Sequence, residues 1–140
     1  MIVGIVIGAV VVLCFALVVL VARDRGPDAA EVAVSYELAW DRLDFDALWT
    51  LSAAELRDGL DRRQFVAAKR AAYELQHALR GLVEHVGIDD VTVTGSGETA
   101  FVATRIHLRD GTTVHNLVQL VRRNARWQVT VYQLTTTSPS

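Results

Sequence analysis

The chain has 140 residues, with 14 Lys and Arg against 16 Asp and Glu, a formal net charge of −2 and a single cysteine, Cys14. That balance argues against a nucleic-acid binder, which needs clustered positive charge to meet phosphates. One cysteine excludes an intrachain disulfide. The apolar fraction of 51% is raised by the first 22 residues, which carry no charged side chain; the remainder has the length and composition of one ordinary globular domain.

From Ile2 to Ala22 every residue is apolar or Gly. At a rise of about 1.5 Å per residue this is long enough for a helix to cross the hydrocarbon core of a bilayer. Its Ile, Val, Leu and Phe side chains favour insertion by on the order of 5 to 9 kcal/mol. A cleaved signal peptide is the rival, but no basic residue precedes the run, the run exceeds a typical signal core, and no small-x-small site follows it. The expectation is a single-pass transmembrane helix over residues 2–22, with the lipid bilayer as its partner. Arg23 and Arg25 follow directly, so the positive-inside rule places the soluble domain on the cytoplasmic side of the cell membrane. Gly4 and Gly8 have the small-xxx-small spacing that lets two such helices pack, although that spacing is also common by chance. Cys14 reads as a small apolar residue within the span.

Gly26-Pro27 breaks the helix and closes a short linker over residues 23–27. Asp28 with Glu31 reads as a capping pair opening a helix with Val32, Tyr36, Trp40 and Leu43 inward, and with Glu37 and Asp41 on the opposite side. Asp44 to Trp49 forms a short second helix with Phe45, Leu48 and Trp49 turned inward. Ser52 and Glu55 offer a cap for a brief helical turn ending near Gly59. Asp61 and Gln64 cap a longer helix whose stripe is Phe65, Ala68, Ala72, Leu75, Leu79 and Leu82, leaving Arg62, Arg63, Lys69, Arg70 and Arg80 in solvent.

From Val86 the apolar period changes to two. Strands are expected at Val86 to Thr94, Glu98 to Arg109, Thr112 to Arg123 and Arg126 to Thr135, separated by Gly95-Ser96-Gly97, Asp110-Gly111 and Asn124-Ala125. Helices first and an antiparallel sheet afterwards predict an α+β domain over residues 28–135, with about three helices on one face of a four-stranded sheet. Thr136 to Ser140 reads as a disordered tail.

Tyr36 to Trp40, the stretch Leu43-Asp44-Phe45-Asp46-Ala47-Leu48-Trp49, Phe65 and the late Arg122-Arg123-Asn124-Ala125-Arg126-Trp127-Gln128-Val129 hairpin together resemble the NTF2-like superfamily, which includes SnoaL-type and ketosteroid isomerase-like domains. The resemblance implies a cone in which a curved antiparallel sheet wraps round helices, here in a membrane-anchored bacterial member. It rests on packing motifs, so it implies fold and leaves activity open among isomerase-like and dehydratase-like enzymes, transport and assembly factors, and domains with no assigned activity. No catalytic residue is carried over.

The residues themselves offer no CxxC or HExxH spacing, so no metal site and no cofactor are expected. With a two-residue turn at Asp110-Gly111, His107 and His115 point to opposite faces and cannot share a metal. The same register gives one face Phe101, Ala103, Val114, Val118, Leu120, Trp127, Val129 and Val131. At its end stand Arg105, Asn116 and Gln133 in a row, with His107 beside them. These four residues, closed over by Tyr36 and Trp40, are the candidate ligand pocket, suited to a small anionic or carbonyl-bearing molecule; the plainer alternative is an exposed sheet end. A bulge in either strand reassigns these faces. Asp89 and Asp90 show no partner, and His107 reads as a neutral structural histidine. The expected function is a membrane-tethered module binding a small ligand or a protein partner, with a homodimer or a membrane-protein partner both open. The alternatives are a small isomerase or dehydratase-type enzyme and an accessory subunit of a membrane complex.

Overall fold

The computed structural model describes residues 26–73, 75–76 and 80–138, with side chains described as far as Gln133. The expected membrane span from Ile2 to Ala22, the arginines that follow it, Leu79 and His77 lie outside these residues. Among the described residues no helix is long and apolar enough to cross a membrane.

Capping sets the helical half. The Asp28 carboxylate accepts the Glu31 N–H at 2.8 Å and opens α1, Ala29–Arg42. This helix ends without a glycine: Leu43 takes a left-handed φ of 53°, and the N–H groups of Leu43 and Asp44 return to the carbonyls of Trp40 and Ala39. Asp44 then caps α2, Phe45–Leu51. The following 3-10 turn, Ala54–Leu56, lacks the expected Ser52 cap, because the Ser52 hydroxyl donates to the Leu48 carbonyl instead. Asp61 and Gln64 form a reciprocal box at 2.8 and 3.1 Å and open α3, Arg62–Tyr73.

The inward face of α3 differs from expectation. Phe65 is buried, but Ala68 and Ala72 face solvent, and Leu75 lies past the helix end at 96% exposure. Contact runs in steps of four through Phe65, Lys69 and Tyr73. Tyr73 meets Trp40 edge-on, and the Lys69 ammonium lies 5.5 Å from the Trp40 ring centroid. A long ammonium side chain on an aromatic surface makes the contact that small alanines could not.

The four strands, β1 (Val83–Val93), β2 (Thr99–Leu108), β3 (Thr113–Arg123) and β4 (Arg126–Ser138), pair in sequence order as an antiparallel sheet. β4 therefore extends into the segment expected as a tail. Three helices on one face of this sheet make the α+β arrangement predicted. Ala100, Val102, Val118, Leu120 and Val129 from the sheet pack with Val32, Ala33, Tyr36 and Leu48 from the helices.

Two details of register decide which side chains share that inner face. Leu108 bonds with Thr112 around a three-residue loop, Arg109-Asp110-Gly111, with Gly111 at φ 89°. The expected two-residue turn is one residue too short, so Thr104 faces Asn116 and Arg105 faces His115. A slip of one residue turns every β2 side chain to the other face, which moves Phe101, Ala103, Arg105 and His107 off the core side. The Asn124-Ala125 turn is the expected two-residue type, with φ of 53° and 61°. Beyond it β4 bulges at Thr130, whose hydroxyl donates to the Gln119 carbonyl; Tyr132 then takes the inner position in place of Val131 or Gln133.

Candidate functional site

Glu37 follows Tyr36 on α1 and lies four residues past Ala33, both buried. The helical stripe that packs on the sheet thus carries Glu37 inward, leaving it 3% exposed. The expectation that it faces solvent is corrected: α1 buries two adjacent rows, Ala29-Val32-Tyr36-Ala39 and Ala33-Glu37.

A carboxylate so placed needs donors, and the sheet supplies three. Oε1 accepts from the Thr104 hydroxyl and from Asn116 Nδ2, each at 3.0 Å, and Oε2 accepts from the Tyr132 hydroxyl at 2.5 Å. Asn116 Nδ2 also donates to the Tyr132 oxygen at 2.6 Å. All three partners are neutral, and among the described residues no cationic side chain forms an ion pair with Glu37. Burial therefore raises the Glu37 carboxyl above its ordinary range, against the lowering effect of the three hydrogen bonds. Burial first, then the charge of Glu37, pushes the Tyr132 phenol far upward, so Tyr132 remains a donor.

An open cleft of about 230 Å³ borders this cluster, lined by Glu37, Asn116, Tyr132, Trp40 and Asp41 with apolar walls that include Val83, Ile106 and Val114. Asp41 builds one wall: its Oδ1 accepts the N–H groups of Leu82 and Val83 at 2.8 and 3.0 Å and so fixes the start of β1 against α1. The Asn116 Oδ1 atom is buried and has no hydrogen-bond partner. A larger hollow of about 560 Å³ near the start of α1 is lined by Pro27, Val32, Leu51 and Trp127, and no buried carboxylate lines it.

The structure divides the six residues expected to form a pocket. Trp40 and Asn116 line the cleft. Tyr36 is buried against Tyr132, with ring centroids 5.2 Å apart. Arg105, His107 and Gln133 lie on the outer face of the sheet through the loop and bulge already described. There Arg105 pairs with Asp89 at 2.8 Å, His115 approaches the same carboxylate at 3.5 Å, and His107 stacks on His85 at 4.3 Å. Asp89 therefore has partners, and His107 and His115 share a face. Among the described residues no group of three His, Cys, Asp or Glu side chains is placed to hold a metal ion.

Neither a protein-family model nor a curated protein matches the sequence. Solved structures do match. A SEC-C motif-containing protein from Rhodopseudomonas palustris is similar with a TM-score of 0.51 at 18% identity, over 75% of this chain and 77% of that one. An NTF2-like protein of unknown function from Silicibacter pomeroyi gives 0.48 at 19%, over 76% and 94%. A hypothetical protein with a ketosteroid isomerase-like fold from Catenulispora acidiphila, solved with trimethylamine, gives 0.42 at 20%, over 78% and 87%. The neighbours thus include proteins described as NTF2-like and ketosteroid isomerase-like, and at 18% identity the likeness to the Rhodopseudomonas palustris protein is one of fold.

Proposed function

We propose that this chain is a membrane-tethered module that takes a small ligand in the cleft beside Glu37. The observation that carries the reading is the buried Glu37–Thr104–Asn116–Tyr132 cluster, which brings a carboxylate to the edge of an apolar-walled space. Tethering rests on the sequence of residues 2–22, with the domain on the cytoplasmic side, and it is tested by carbonate extraction of membranes: release of the intact chain refutes it.

The binding test is a fragment screen by ligand-observed NMR on the full chain in an uncharged detergent, repeated on Val114→Trp, which fills the cleft. Hits that vanish in the variant support the reading; hits indifferent to it refute it. The raised carboxyl of Glu37 favours a second reading, a general base for proton abstraction of the isomerase or dehydratase kind. In that case Glu37→Gln abolishes turnover of a substrate while leaving its binding in place.

A further inference from the structure

We infer that the ligand of this cleft is a small organic cation, an ammonium ion carrying N–H donors on an apolar body. The inference rests on the cleft being a ligand site and names the chemistry of its occupant. Glu37 is almost fully buried and surrounded by neutral donors, so when ionised it has hydrogen bonds but no counter-charge among the described residues. Charges held away from water are ordinarily paired, and a carboxylate lacking a protein cation beside a cavity leaves that role open to a ligand.

The rest of the lining agrees. Asp41, one helical turn beyond Glu37, borders the same space, and no Lys, Arg or His does. Two carboxylates with no base give a negative potential, focused by low-dielectric walls, that repels anions and attracts cations. Arg105, on which the expectation of an anionic ligand rested, belongs to the opposite face and pairs with Asp89. The Trp40 and Tyr132 rings offer aromatic surface to the cation, and Val83, Ile106 and Val114 offer apolar contact to its body. A metal ion fits less well: Glu37 and Asp41 already accept hydrogen bonds, and the neighbouring groups include no third carboxylate or imidazole.

The test uses three probes of one shape, cyclohexylammonium, cyclohexanol and cyclohexanecarboxylate, titrated by NMR into the full chain in an uncharged detergent at neutral pH. The ammonium is expected to bind about tenfold or more tighter than the alcohol, and the carboxylate not at all. Glu37→Gln, which keeps the shape of the side chain, removes the preference for the ammonium and leaves the alcohol unchanged; Val114→Trp abolishes binding of both. Equal affinity for alcohol and ammonium, or tighter binding of the carboxylate, overturns the cation assignment while the cleft remains a ligand site. If no probe binds at about 10 mM, or if Val114→Trp changes nothing, the assignment and the site fall together.

Discussion

Replacing Glu37 by alanine removes the one acceptor on which three strands converge. Thr104 is 1% exposed and Asn116 3%, so neither can turn to bulk water, and the Tyr132 hydroxyl loses its acceptor as well. A buried donor left without a partner costs about 1 to 3 kcal/mol. Asn116 still donates to the Tyr132 oxygen, and the open cleft admits water, so the sum falls toward the low end, about 3 to 5 kcal/mol. Glu37→Gln keeps one oxygen for Thr104 and Asn116, sets an amide N–H against the Tyr132 hydroxyl, and abolishes a buried charge. These changes nearly offset, and the net cost is about 1 kcal/mol or less. Urea unfolding of the full chain in mild detergent, followed by tryptophan fluorescence, separates the two variants. An alanine variant no less stable than the glutamine variant would falsify the view that this cluster organises the sheet against α1.

The same pair carries a pH signature. Because the folded-state carboxyl is raised above its ordinary value of 4.5, its stabilising contribution is fully present below that value and is lost as pH rises through the folded value. Glu55 and Asp110 are lowered, by Arg123 and by the Thr112 hydrogen bonds respectively, and so act in the opposite direction. Comparison with Glu37→Gln cancels these shared terms. Relative to the wild type, the variant gains stability as pH rises above the ordinary carboxyl value of 4.5 and through the raised folded value; a difference that stays flat with pH contradicts the raised carboxyl.

Three further outcomes are expected. Leu48→Ala, at a side chain 1% exposed, costs about 2 to 5 kcal/mol, whereas Leu75→Ala, at 96% exposure, leaves the unfolding midpoint in place; an equal effect at both positions restores the longer stripe expected for α3. Asp41→Ala frees the Leu82 and Val83 N–H groups, which water can reach, and costs about 0.5 to 1.5 kcal/mol, with Asp41→Asn losing less, and faster hydrogen exchange confined to these two amides is the measurement that checks it. Ala125→Gly stabilises by about 0.5 to 1 kcal/mol, because an exposed alanine at φ 61° bears a steric cost that glycine avoids; a lowered midpoint refutes the turn geometry.

What could be read from the sequence is what is decided within a few residues. The Asp28–Glu31, Asp44–Ala47 and Asp61–Gln64 contacts each span three positions, and each helix starts where its cap stands. The change of period at the strands is equally local, and so is the Asn124-Ala125 turn. The faces of the sheet are another matter. Whether Asp110-Gly111 forms a two-residue turn or the end of a three-residue loop changes the count across the hairpin by one, and both choices suit the same residues. With the shorter turn, Arg105 and His107 become a pocket floor; with the longer one, Thr104 and Ile106 take the inner face instead.

Glu37 was hidden for a related reason. A glutamate at the margin of an apolar stripe is assigned to solvent because buried carboxylates are rare and costly. That cost is met here only because Thr104, Asn116 and Tyr132 arrive together, and their arrival depends on one extra loop residue between β2 and β3 and one bulged residue in β4. With the shorter loop Thr104 turns outward, and without the bulge Tyr132 does; either change strips Glu37 of a donor. Residues separated by 67 to 95 positions are thus bound into one cluster by two single-residue offsets. Thr104→Val, which removes one of those donors, is therefore expected to cost much less in a Glu37→Ala background than in the wild type, since both changes break the same contact. Full additivity in that double variant would mean that the buried acid and the strand donor act independently, and the cluster described here would not hold α1 to the sheet as one unit.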